Sequence, residues 1–133
     1  MSYLSTRQKL FILTVMLSVV FLTVGCTHND PWTRGDTARQ VLVSASYAID
    51  ATQTVDIQHR PDLMEGGLIA RHVLGLQPST SDTWQYFATL TISNYLIARA
   101  MPAKWRPYWQ YGTVITEIPA IRNNCVEGLG YGC

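Results

Sequence analysis

Hydrophobic and polar residues are distributed very unevenly along the chain. Behind a start that carries Arg7 and Lys9, Leu10 to Leu22 is apolar apart from Thr14 and Ser18. An apolar run of this length after a basic start reads as a secretory signal, since a spanning helix needs roughly 20 residues. Thr27 to Gly35 is polar and contains Pro31, so it reads as a short tether. Trp32, its one large apolar residue, is expected either at a membrane interface or docked on the domain that follows.

From Thr37 to His59 neither Gly nor Pro interrupts, and Val41, Ala45, Ala48, Ile49 and Val55 recur at helical spacing. Asp36 is the expected N-cap and Pro61 the stop. Asp62-Leu63-Met64-Glu65 has the spacing of a capping box. It is expected to open a short helix through Leu68, Ile69, Val73 and Leu74, closed by Gly75 in the left-handed conformation. Ser79 to Asp82 opens a third helix, which carries Tyr86, Phe87, Leu90, Tyr95, Leu96 and Ile97 and ends near Ala100, before Pro102. The fourth starts between Pro102 and Arg106, since Pro107 is tolerated only in a first turn. It continues through Val114, Ile115, Ile118 and Ile121, with a kink expected at Pro119, and ends at Asn123-Asn124. No strand alternation, hairpin turn or internal repeat occurs. The expected fold is all-α: a small bundle of three longer helices and one short one, over residues 36–124, behind a cleaved signal.

The apolar run ends at Thr23-Val24-Gly25-Cys26. Small residues followed by Cys resemble the lipobox of bacterial lipoproteins. In that family a diacylglycerol is attached to the Cys sulfur, the peptide before it is removed and the new amino terminus is acylated. The resemblance implies a signal peptide over residues 1–25, lipid on Cys26 and a tether over residues 26–35. Thr27 after the Cys implies the outer membrane, facing the periplasm, rather than the inner membrane. A single acyl chain binds a bilayer marginally, whereas several hold it stably. The alternative, an uncleaved anchor helix, has a run short for spanning.

Removal of residues 1–25 leaves 108 residues with eight basic and nine acidic side chains, enough for one small domain of nearly neutral charge. No basic stripe survives, which argues against nucleic acid as a partner. Once Cys26 is assigned to lipid, Cys125 and Cys133 are left to pair in an oxidising compartment, and Gly128, Gly130 and Gly132 let the short loop close. Residues 125–133 then form a Gly-rich tail closed by a disulfide. Neither a metal site nor a cofactor is expected, because no Glu-x-x-His, His-Glu-x-x-His, phosphate-loop or dinucleotide pattern is present.

The weak candidates for chemistry are Asp50, His72 and Glu117, with Glu65 beside them. Carboxylates and a His facing one another across helices can hold a metal or move a proton. Each also has a plainer role. Asp50 can hydrogen-bond to a neighbouring helix, Glu65 can cap with Asp62, and His72 can sit at a helix end as a favourable cation. Glu117 can pair with Arg106, Arg99 or Arg122. The aromatic group Trp105, Arg106, Tyr108, Trp109 and Tyr111, with Lys104 and Arg106 as its cations, can fill the core, or it can stack on sugars, sit at a lipid interface or anchor a protein partner. Trp105, Arg106 and Trp109 are its candidate contacts.

Asp50-x-x-Gln53-Thr54, Glu65, Gly75-x-x-Pro78-Ser79, Tyr86-Phe87, Pro102-x-x-Trp105-Arg106 and Glu117 resemble, in order, a group of small uncharacterised helical proteins of bacteria and their phages. That resemblance implies a helical fold with inward polar residues and no particular activity. Gly66-Gly67 stands where that group has Asn-Pro after the Glu. The expected function is that of a lipid-anchored envelope protein binding an envelope protein or glycan, in phage superinfection exclusion or in envelope maintenance. The alternatives are a small metal-dependent or hydrolytic periplasmic enzyme using Asp50, His72 and Glu117, and a bundle inserted in the membrane. Arg39, Asp50, Asp56, Arg99, Glu117 and Arg122 make the last costly.

Overall fold

The computed structural model describes Leu10, residues 13–15, residues 30–130 and Cys133. Signal cleavage and lipidation at Cys26 lie outside the described residues. Among the described residues four helices form the domain, α1 (Arg34–Ile57), α2 (Leu68–Leu74), α3 (Thr80–Ala100) and α4 (Arg106–Val126), and no strand is present.

Two of the long helices, α1 and α3, begin at a side chain that satisfies free N–H groups of the first turn. The cap of α1 is Thr33, three residues earlier than the pattern suggests. The Thr33 N–H and hydroxyl both donate to Asp36 Oδ2 (2.9 and 2.8 Å), and the Asp36 N–H donates to Thr33 Oγ1 (3.1 Å). Asp36 is therefore the third residue of a reciprocal capping box rather than the cap itself. On α3, Ser79 caps as expected, accepting from the Asp82 N–H. The start of α4 is at Arg106, with Pro107 in the first turn where its missing N–H costs nothing.

Two expectations change in the middle of the chain. Asp62 to Glu65 is not helical, and α2 starts only at Leu68. Glu65 accepts from the Gly67 N–H (2.8 Å) instead of pairing with Asp62, while its own N–H donates to the Leu76 carbonyl. Two consecutive glycines make helix initiation at residue 62 unfavourable, so the segment closes as an irregular connector. Gly75 has φ +89°, ψ −173°, a positive-φ but extended geometry in place of the left-handed helical cap.

The end of α4 also differs. Asn124 spends its side chain across the bundle, donating to Asp50 Oδ1 and Gln53 Oε1. It does not compete for its own backbone, and the helix runs on to Val126. Pro119 sits within it.

The three long helices pack with α1 in the middle, against both α4 and α3. Contacts at Asp36–Arg106 near one end and Asp50–Asn124 near the other make α1 and α4 parallel. Gln58 Oε1, just past α1, accepts from the Thr80 N–H and hydroxyl, so α3 starts where α1 finishes and runs back. The core is small: Val43, Tyr47, Ala51, Val73, Leu74, Tyr86 and Phe87, with Ala70, Leu90 and Val114 against it. Much of the remaining interior is polar. Gln110 is fully buried and fully used, donating to the Asp36 carbonyl and Gln40 Oε1 and accepting from Arg39 Nε. A buried amide lacking such partners would cost about 1–3 kcal/mol. Among the described residues no helix is long and apolar enough to cross a membrane.

Candidate functional site

Three elements bring carboxylates to one cleft of about 570 Å³ near the carboxyl-terminal ends of α1 and α4. The first, α1, supplies Asp50 on the same face as Gln53 and Thr54. From α4 come Glu117 and, two turns on at the i+7 position, Asn124. The irregular connector supplies Glu65, held by its hydrogen bond from Gly67. Tyr86, Phe87 and Leu90 of α3 form an aromatic and aliphatic wall, and Leu68 and Ile69 line the α2 side.

Asp50 and Glu65 are nine-tenths buried. Burial first, then the negative charges of Glu117 and Glu65, push the Asp50 carboxyl up to about 7 against the hydrogen bond from Asn124. Glu117 is also raised by burial, and the hydrogen bond from Asp50 opposes that rise. The hydrogen bond between the two acids thus acts in opposite senses, raising Asp50 and lowering Glu117. Burial raises Glu65 too, with its Gly67 hydrogen bond working the other way. Tyr86 is driven above the usual phenol range by burial and then by the charges of Glu117 and Glu65. Tyr47 is pushed up to about 12, first by burial and then by Glu117.

None of the described ion pairs involves these three acids; the pairs are Arg39–Asp36, Arg106–Asp36 and Arg60–Asp62. The expected pairing of Glu117 with Arg106, Arg99 or Arg122 is absent. Glu117 lies inward beside Asp50, and Arg106 is committed elsewhere. A cleft of carboxylates against an aromatic wall suits a cationic group with an alkyl stem.

His72 does not join Asp50 and Glu117. It is exposed on α2 and does not line the cleft. Among the described residues no group of three or more His, Cys, Asp or Glu side chains could hold a metal ion. A second groove of about 260 Å³ between α1 and α3, lined by Ser44, Tyr47, Trp84, Phe87 and Ile92 among others, carries no charged group.

The aromatic candidates separate. Arg106 is buried, 1% exposed, and cannot reach a partner. Its guanidinium donates to the Met101, Pro31 and Asp30 carbonyls and lies 3.6 Å from Asp36 Oδ2. Trp109 is half-buried, its indole N–H directed at the Asn94 carbonyl (3.4 Å). Trp105 remains exposed, as are Tyr108 and Tyr111. Trp32 docks on the domain, edge-on to Tyr95 with the Arg99 and Arg106 guanidinium groups over its ring.

Cys125 and Cys133 are joined as expected. Gln53 Nε2 points at both sulfurs (3.4 and 3.5 Å), and the Gly130 N–H donates to Asp56 Oδ2, so the tail folds back on α1 close to the cleft. No protein-family model, no curated protein and no solved structure matches the chain.

Proposed function

We propose that the chain is a lipid-anchored envelope protein whose folded body binds an envelope protein, and that the cleft receives a lysine side chain of that partner. The observation that carries the binding reading is the meeting of Asp50, Glu65 and Glu117 in one cleft with no basic side chain among the described residues paired to them. The lipobox resemblance at Cys26 supports the anchored location, and the Cys125–Cys133 bond suits an oxidising compartment.

The enzyme reading has less support, because His72 lies outside the cleft and leaves Asp50 and Glu117 without their third member. Insertion of the bundle in the bilayer is disfavoured by the length and polarity of the described helices. If the gene is phage-borne, occlusion of a receptor or injection step becomes the natural role. A deletion that leaves phage sensitivity and envelope integrity unchanged would count against both the exclusion and the maintenance variants.

Two measurements test the reading. The wild type should take up palmitate and fractionate with the outer membrane, while Cys26→Ser should stay unlabelled; equal labelling of the two would remove the anchor. In intact envelopes a water-soluble carbodiimide couples carboxylates to adjacent amines. The wild type should give a discrete protein adduct that Asp50→Asn with Glu117→Gln abolishes, with the circular dichroism of the variant unchanged. An adduct insensitive to both substitutions, or no adduct, overturns the binding assignment.

A further inference from the structure

The end of the domain opposite the cleft is where the amino-terminal segment is fastened. Asp30 and Pro31 give their carbonyls to the buried Arg106 guanidinium (both 3.0 Å), and Asp30 Oδ2 accepts from the Ala103 N–H (2.9 Å). Asp30 is therefore pinned against the corner between α3 and α4. Cys26 precedes it by only four residues, a span of at most ~14 Å even when fully extended. The Cys26 Cα cannot be farther than that from the Asp30 Cα, and its sulfur lies only two bonds beyond.

The corner has the chemistry of a headgroup layer. Trp105 and Tyr108 are 54% and 71% exposed with ring centroids 5.7 Å apart, and Lys104 Nζ lies 5.9 Å from the Trp105 ring centre. Arg34 and Arg99 are exposed at the same end, Arg99 stacked on Trp32. The acids here are already engaged: Asp30 by the Ala103 N–H, and Asp36 by Thr33, Arg39 and Arg106. Amphipathic rings flanked by cations are the side chains that settle at the boundary between acyl chains and phosphates.

Resting on the lipid-anchor reading above, we propose that Lys104, Trp105 and Tyr108 lie in the headgroup layer of the bilayer that holds Cys26. The domain is then docked on lipid through this corner rather than swinging on its tether. Glu117 is eleven residues along α4 from Arg106, ~16 Å at helical rise, so docking turns the carboxylate cleft towards the aqueous side.

The test uses the full acylated chain, purified from envelopes and reconstituted in phosphatidylcholine vesicles brominated near the headgroup, with bromine quenching of tryptophan emission as the readout. Trp105→Phe should lose most of the bromolipid-dependent quenching. Trp84→Phe, in the first turns of α3 at the other end, should retain it. Both sites are exposed, and circular dichroism checks that both variants fold. A palmitoylated, vesicle-bound protein whose quenching is indifferent to Trp105 overturns the docked corner and leaves the anchor standing. A wild-type chain that takes up no palmitate and does not float with vesicles overturns both.

Discussion

Asp50 and Asp36 are both buried aspartates on one helix, with opposite electrostatic settings. Asp36 is disfavoured as a charge by burial. The hydrogen bonds from Thr33 and Arg39, and the Arg39 charge, outweigh that and hold it below the ordinary carboxylate range. Its stabilising contribution is present above the unfolded value and is lost as pH falls through the lower folded one. Asp50 runs the other way. Its folded value near 7 lies above the unfolded 3.8, so folding gains from it at low pH and loses that gain as pH rises from about 4 through 7. Unfolding free energy should therefore rise on acidification from pH 8 to pH 5, by on the order of a few kcal/mol. Asp50→Asn should flatten that slope and raise stability at pH 8, as read by urea unfolding at the two pH values. A slope unchanged in the variant would assign the pH dependence to another group. Arg106→Ala leaves Asp36 with Arg39 as its remaining cation and leaves the Asp30 and Pro31 carbonyls without their donor. A loss of about 1–3 kcal/mol is expected in the same assay.

At the scale of elements, the helices were legible in the sequence wherever a local pattern acted alone. The uninterrupted stretch after Asp36, the Ser79 cap and the two prolines around Arg106 fix three helices to within a few residues. The departures have two causes: at Asn124 the partner lies far along the chain, whereas at Thr33 and Glu65 a local partner, Asp36 or Gly67, wins over the one the spacing suggests. Thr33 was read as tether because its role depends on Asp36 being drawn inward towards Arg39 and Arg106. Asn124 was read as a helix stop, although it is spent on Asp50. Its i+7 relation to Glu117 was the one sequence signal that both belong to one face. The Asp62–Glu65 spacing fits a capping box, but the chain bends at Gly66-Gly67 and gives Glu65 the Gly67 N–H instead. Gln110, the most buried polar group of α4 together with Arg106, gave no sequence signal. Thr33→Ala should cost about 1 kcal/mol of stability through loss of the cap. Gly130→Ala should cost more than its small change suggests. Gly130 has φ +85°, and a Cβ there would meet Gln53 Cγ at 2.7 Å. Thermal unfolding of both variants checks the order.

At the scale of the molecule, the parallel α1 and α4 with α3 returning between their ends give the domain two unlike poles. One pole gathers the amino-terminal segment, Arg106, Trp32 and the exposed Lys104-Trp105-Tyr108 corner. The other gathers the carboxylates, the connector and the folded-back tail. Asp50 and Glu117 were candidates from sequence, but their union with Glu65 and Tyr86, and the exclusion of His72, follow only from how the irregular connector lies. The tail is fastened to that second pole by a single covalent link, and opening the loop should cost about 2–3 kcal/mol in the loop-entropy account. Cys125→Ser with Cys133→Ser should lower the unfolding midpoint accordingly.

That link sits on α4 one residue beyond Asn124, the side chain that steadies Asp50. A copy made and kept among reduced thiols would therefore differ from an exported one where it matters: Gln53 would lose its bridged sulfur neighbours, the last turn of α4 would be freer to fray, and one wall of the acid-lined recess would slacken. A copy with that link reduced should accordingly show faster amide exchange in the last turn of α4.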